Sequence, residues 1–272
     1  MNDLLNISAM YFSPTGTTEK IVKSILDNLK IKFNCSNINY INFTSPQTRQ
    51  IQQSFTKDDL VVFGVPVIAG RVPNVLLKYL KNIIGNNALA VAIVVYGNRN
   101  YDDALIELKD ILDTNGFKVI AGGAFIGEHS FSKVLAKNRP DYTDLLVVSD
   151  FSNLIHDKIS KGNYDTAKVK GNIPYRDYYK PKDIKGNPID FRKIVPRTNE
   201  NCINCKICTE VCPMESIDFN DVSKLNGICI KCCACIKKCP ADAKYFDDMN
   251  YLNHKCELEI EFIKRKAPEI FL

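Results

Sequence analysis

Leu4-Leu5-Asn6-Ile7-Ser8-Ala9-Met10-Tyr11-Phe12-Ser13-Pro14-Thr15-Gly16-Thr17-Thr18 is the stretch that decides the fold. Leu4–Phe12 is an apolar run of strand length. It leads into a loop rich in hydroxyls, beyond which Ile21, Val22, Ile25, Leu26 and Leu29 recur at helical spacing. Ser13, Thr15, Thr17 and Thr18, several backbone N–H groups and the positive end of a helix converge there. A phosphate monoester needs that combination. The loop has no lysine of the Walker kind, which argues against a nucleoside triphosphate with magnesium.

Further along, the same alternation repeats. Ile38–Phe43 is a short second strand, and Leu60–Val65 is a third, apolar enough to be buried on both faces. Asn74 is expected to cap a helix with Leu76, Leu77, Leu80, Ile83 and Ile84 as its stripe. Leu89–Tyr96 is a fourth strand, followed by a helix through Ala104, Leu105, Leu108, Ile111 and Leu112. Gly116 ends that helix, Phe117–Ile126 is a fifth strand, and Pro140 opens a last helix. Strand and helix alternating in this way imply a parallel sheet covered on both faces, with ligands beyond the carboxyl ends of the strands. Two further loops fall at those ends: Pro66-Val67-Ile68-Ala69-Gly70-Arg71-Val72-Pro73 and Gly97-Asn98-Arg99-Asn100-Tyr101-Asp102-Asp103.

The Ser/Thr loop and these two loops together resemble flavodoxins over residues 1–160. The resemblance implies a doubly wound five-stranded parallel sheet of order 2-1-3-4-5 and an FMN cofactor. Ser13, Thr15, Gly16, Thr17 and Thr18 would hold its phosphate. Pro66, Val67, Ala69, Gly70 and Arg71 would pass one side of the ring, and Tyr96, Gly97, Asn98, Arg99, Tyr101 and Asp102 the other. The chain has no Trp, so Tyr101 is the candidate stacking partner, with packing on its own helix as the alternative. Gly70 resembles the residue whose peptide turns toward the flavin N5 on reduction, or is an ordinary turn glycine. Arg71 and Arg99 are candidates to offset the charge of a reduced flavin, or else solvated loop residues. His129, at the end of the fifth strand, is a candidate for the mouth of the site.

The last third of the chain carries a different signal. Cys202-x2-Cys205-x2-Cys208-x3-Cys212-Pro213 is followed, 27 residues on, by Cys229-x2-Cys232-x2-Cys235-x3-Cys239-Pro240. Three close cysteines on a tight loop reach three irons of one cubane, and the fourth ligates the other cluster. One [4Fe–4S] site is then Cys202, Cys205, Cys208 and Cys239, and the other Cys229, Cys232, Cys235 and Cys212. Zinc sites usually pair two short Cys elements rather than repeat a run of three plus Cys-Pro. Disulfides need an oxidising compartment, and no secretory signal is read here. Residues 200–247 resemble bacterial two-cluster ferredoxins, which implies a small α+β domain. Of the remaining cysteines, Cys35 reads as a packing residue, Cys233 as the neighbour of ligand Cys232, and Cys256 as part of a charged tail, 248–272.

Net charge is +5 over 272 residues, unevenly spread. Residues 1–157 balance, 158–199 carry +7 and 200–272 carry −2. The basic stretch lacks repeated Lys/Arg blocks, so nucleic acid is not the expected partner. It includes the connector 161–199, whose Tyr164, Tyr175, Tyr178, Tyr179, Phe191 and several prolines are unlike a flexible Gly/Ser tether. It is expected to lie ordered against both modules. Leu4–Phe12 is too short to span a bilayer, so a soluble cytoplasmic protein is expected.

The whole resembles flavodoxin–ferredoxin fusion proteins of anaerobes, which implies an electron carrier linking two clusters to FMN and serving redox partner proteins. No acid/base pair or nucleophile stands out. The alternatives are an FMN-dependent reductase of a small substrate or oxygen, and a redox sensor that binds a partner.

Overall fold

The apolar runs fold as strands because their alternate residues enter two separate cores. In the computed structural model, which describes residues 6–183 and 185–272, β1 is Asn6–Tyr11. Leu4 and Leu5 of the expected first strand lie outside the described residues. Then follow α1 (Thr17–Phe33), β2 (Ile38–Asn42), β3 (Asp59–Pro66), α2 (Leu77–Leu80), β4 (Leu89–Tyr96), α3 (Ala104–Thr114), β5 (Lys118–Ile126) and α4 (Tyr142–Ser160). Beyond the connector come β6 (Arg197–Thr198), α5 (Ile207–Glu210), α6 (Ala234–Lys237), β7 (Lys244–Tyr245), α7 (Met249–Glu261) and β8 (Glu269–Phe271).

The first five strands are parallel in the order β2-β1-β3-β4-β5, the flavodoxin-like order. Ile7, Ala9, Tyr11, Leu60, Val62, Val91 and Ile93 belong to one core, beneath Ile21, Ile25, Phe151 and Ile155 of α1 and α4. Their neighbours Met10, Val61, Phe63, Ala92 and Val94 belong to the other, with Leu80, Leu105 and Leu108 of α2 and α3. That is the period-2 alternation of a strand buried on both faces.

Two elements depart from expectation. The five-stranded sheet gains a sixth strand: β8 pairs antiparallel with β5, Gly123 opposite Ile270. The residues expected to form a tail thus hold α7 and an edge strand. The Asn74 helix also breaks off at Leu80 after a 3-10 turn. Ile84 instead accepts from Phe55 N–H and donates to Gln53 (2.9 and 3.0 Å), which draws the segment toward the sheet.

In the cysteine-bearing part, β6 and β7 pair antiparallel, and α5 and α6 are single turns that bring Cys208 and Cys235 inward. The connector is not a free strand of chain. Ala167 N–H bonds the β5 residue Val119, and the Tyr178 hydroxyl bonds the Val72 carbonyl at 2.8 Å. Asp103 accepts from the N–H groups of Asn172 and Arg176. No helix among the described residues is long and apolar enough to cross a membrane.

Candidate functional site

A cavity of about 260 Å³ opens at the carboxyl ends of β1, β3, β4 and β5, where ligands bind in sheets of this kind. At one end stands the Ser13–Thr18 loop. Gly16 has φ +94°, a backbone that lets the chain turn sharply into α1. Among the described residues, the N–H groups of Thr15, Gly16, Thr17 and Thr18 find no backbone acceptor. These are the free donors at a long helix's positive end. Thr15 and Thr17 line the cavity. Ser13 and Thr18 do not: the Ser13 hydroxyl accepts from Glu19 N–H at 3.0 Å, and Thr18 is buried beside Gly64. Of the expected hydroxyls, two reach the cavity and two build the loop.

Pro66, Val67, Ala69 and Gly70 form one wall. Ile68 and Arg71 exchange backbone hydrogen bonds at 3.1 Å around Ala69 and Gly70, both at positive φ, a two-residue turn of the hairpin type. The Ala69 carbonyl accepts from Tyr179 N–H at 2.9 Å, and the Gly70 carbonyl from Asp103 N–H at 3.1 Å. Both peptides are therefore held in place, which opposes the free peptide rotation considered for Gly70. Arg71 is drawn away from the cavity. Its guanidinium binds Glu107 and sits over the rings of Tyr175 and Tyr178, 4.7 and 5.0 Å from their centroids.

Tyr96, Gly97 and Arg99 form a second wall, and three residues expected beside them do other work. Asn98 is buried, its amide donating to the carbonyls of Phe262 and Lys264, so it anchors the C-terminal segment. Tyr101 packs on Tyr96 inside the core, ring centroids 5.6 Å apart, and burial raises its phenol pKa; it is not at hand to stack on a ligand. Asp102 pairs with Arg99 and Arg176. Arg99 stays at the cavity with Tyr179 over its guanidinium at 4.7 Å.

His129 does line the cavity. Its Nδ1 accepts from Phe131 N–H at 3.1 Å, so the neutral ring carries its proton on Nε2. Burial, helped by repulsion from His254, Lys237 and Arg99, pulls its pKa down to about 4. Gly97 is required below it, since a Cβ there would stand 2.5 Å from the ring.

The residues that sequence reading missed come from the later part of the chain. Tyr179, Pro181 and Phe191 of the connector and His254 of α7 roof the cavity. His254 is buried and stacks on Tyr179; among the described residues its Nδ1 has no hydrogen-bond partner, and it lies 3.7 Å from Glu257. Phe131 packs on Phe191 and Tyr251, joining the fifth loop to the connector and α7. The aromatic spacing of the connector was the available signal.

Ile230, Lys231 and Cys232 close the cavity, and they also wall a second one together with Cys212, Cys229 and Cys235. A third is walled by Cys202, Cys205, Cys208 and Cys239. The eight cysteines therefore divide into two groups of four, with Cys212 and Cys239 crossing between the repeats. Among the described residues, no three Cys, His, Asp or Glu side chains converge closely enough to share one metal ion. Burial pushes the Cys232 thiol up to about 12, with repulsion from Cys233, Cys212 and Cys229 adding to it. Cys233 touches the second cavity, but its Sγ lies 3.7 Å from the Tyr251 hydroxyl in an apolar cluster. Arg49 ties the two parts together, donating to the carbonyls of Thr44 and Pro213, both at 2.6 Å.

No family model and no curated protein matches the chain. Among solved structures, it is similar to a flavodoxin from the domain Archaea (14% identity, TM-score 0.40, 57% of this chain and 99% of that one). It is also similar to flavodoxin 2 from Bacillus cereus (15%, TM-score 0.41, 56% and 99%). A third is rubredoxin oxygen:oxidoreductase from the anaerobe Desulfovibrio gigas (17%, TM-score 0.39, 59% of this chain and 37% of that one). The fold assignment rests on the strand order itself.

Proposed function

We propose that this chain is an electron-transfer protein that carries electrons between two [4Fe–4S] clusters and one FMN, serving external redox proteins. The observation that supports it is a shared wall. Ile230, Lys231 and Cys232 line both the cavity over the sheet and the cavity of the Cys212/229/232/235 set. FMN exchanges one or two electrons and the clusters one each, so the protein's task is to hold them close and set their surroundings.

The residues fit the groups. Four N–H donors with no backbone acceptor among the described residues, together with the Thr15 and Thr17 hydroxyls, suit a phosphate monoester at the α1 N-terminus. The walls of Pro66–Gly70 and Tyr96–Arg99 suit a flat ring, with Tyr179, Phe191 and His254 excluding water from above. The Cys212/229/232/235 and Cys202/205/208/239 sets, each walling its own cavity, suit two cubanes. The path that follows is linear. The Cys202/205/208/239 set, with Cys205 exposed, faces outward, and the other set stands next to the flavin site.

The test is rapid mixing of the anaerobically loaded chain with a small one-electron donor while the flavin absorbance is followed. Wild type should show fast flavin reduction, and Cys232→Ala, which removes the inner set, should slow it at least tenfold. Equal rates in the two proteins would remove the clusters from the path. The reductase reading predicts steady turnover of a small acceptor that the same loaded protein can be offered.

A further inference from the structure

The two cysteine repeats are equivalent in backbone as well as in spacing. Cys212-Pro213-Met214-Glu215-Ser216-Ile217 matches Cys239-Pro240-Ala241-Asp242-Ala243-Lys244. Glu215 and Asp242 both have left-handed φ, +49° and +47°. Ser216 N–H points at the Cys212 sulfur at 3.4 Å, and Ala243 N–H at the Cys239 sulfur at 3.3 Å. The next position holds Ile217 in one repeat and Lys244 in the other, 7% and 3% exposed. Where the first repeat buries an apolar side chain, the second buries a lysine.

A buried charge is costly unless a counter-charge lies close. The Lys244 Nζ donates to the Val222 carbonyl, and among the described residues it forms no ion pair. Lys244 lines the cavity of the Cys202/205/208/239 set.

We propose that Lys244 is the buried counter-cation of the cluster pair, a positioning residue that stabilises the added electron and does so more strongly on the Cys202/205/208/239 set. The inference rests on the cluster reading above. Four thiolates make each cluster net anionic, and one more electron deepens that charge; local charge is among the factors that set such potentials. A lysine on one side of a near-symmetric pair makes the two unequal. With clusters bound, Lys244 would favour an added electron on the outer set over the inner one.

The test is an anaerobic potentiometric titration of the full-length loaded protein, read by electron spin resonance, for wild type, Lys244→Met, Lys244→Gln and Lys244→Arg. Loss of charge should lower the midpoint of the outer cluster more than that of the inner one, and Lys244→Arg should restore most of it. Unchanged midpoints in a fully loaded Met or Gln variant would overturn the role of Lys244 alone. A wild-type chain that takes up no clusters would overturn the cluster reading instead. If Met and Gln both fail to load, loading of Lys244→Arg supports the need for charge. Failure of Arg as well would mean that side-chain shape, not charge, matters, and the proposal falls.

Discussion

Nε and Nη2 of Arg71 meet the two carboxylate oxygens of Glu107, each at 2.8 Å, with the pair largely buried. This two-pronged contact joins the third-strand loop to α3, and the Val72 N–H bonds the same carboxylate. The Tyr175 and Tyr178 rings pack on the guanidinium, so the pair also fastens the connector to the sheet domain. Arg71→Ala leaves the buried Glu107 carboxylate without its counter-charge, a change that costs about 3–5 kcal/mol. Chemical denaturation should show that loss, and limited proteolysis should show cuts within 161–199 that wild type resists. A variant as stable and as resistant as wild type would contradict the clamp.

The Ser13–Thr18 loop separates hydroxyls that line the cavity, Thr15 and Thr17, from hydroxyls that build the loop. Thr15→Ala with Thr17→Ala removes two bonds to a charged group, each worth about 1.5–3 kcal/mol, and should weaken FMN binding at least about a hundredfold. Ser13→Ala removes the acceptor of Glu19 N–H, costing about 1 kcal/mol of stability, with little direct effect on affinity. Fluorescence quenching on FMN addition measures the first, and thermal unfolding the second. Equal affinity losses in Ser13→Ala and the double variant would contradict this division.

His129 makes stability pH-dependent. Its pKa in the folded chain is about 4 against 6.5 for the free side chain, so the unfolded chain binds the extra proton first as pH falls. The favourable contribution is present above pH 6.5 and is lost on the way down to about pH 4. Its size is on the order of 3 kcal/mol. His129→Asn should flatten that part of the stability profile relative to wild type, measured by denaturation at fixed ionic strength. Parallel profiles for the two proteins would show that His129 is not the group responsible.

Cys232 and its neighbour make opposite predictions. Cys233→Ala should keep both clusters, because that thiol lies against Tyr251. Cys232→Ala should lose about half the iron, as a cubane site with three thiolates holds its fourth iron poorly. Iron analysis decides it, with Cys232→Ala/Cys233→Ala as the check. If only the double variant loses iron, Cys233 has replaced its neighbour as ligand.

The strands and the two cysteine repeats were legible because each is local, as short apolar runs and a repeated spacing, whereas the strand order followed from the resemblance of the loops to flavodoxins. The roof over the site was not legible. Tyr179 and His254 reach the cavity through contacts more than a hundred residues apart in sequence, which periodicity does not encode. Arg71 and Tyr101 sit in the expected loops, yet a buried carboxylate and a neighbouring ring hold them elsewhere. The short helix at Leu77–Leu80 ends early because Ile84 finds backbone partners at Phe55 and Gln53, a competition with no local signal. β8 is three residues long and was hidden in a stretch that its charges made look like a tail.

The most direct test of the central claim is the cofactor content of the full-length chain purified and loaded without oxygen. Analysis of iron, acid-labile sulfide, zinc and flavin should give about eight iron, about eight sulfide and one FMN per chain, from two four-thiolate sites and one phosphate loop. Zinc in place of iron, about four iron, or flavin-free protein that gains no FMN on addition would contradict it.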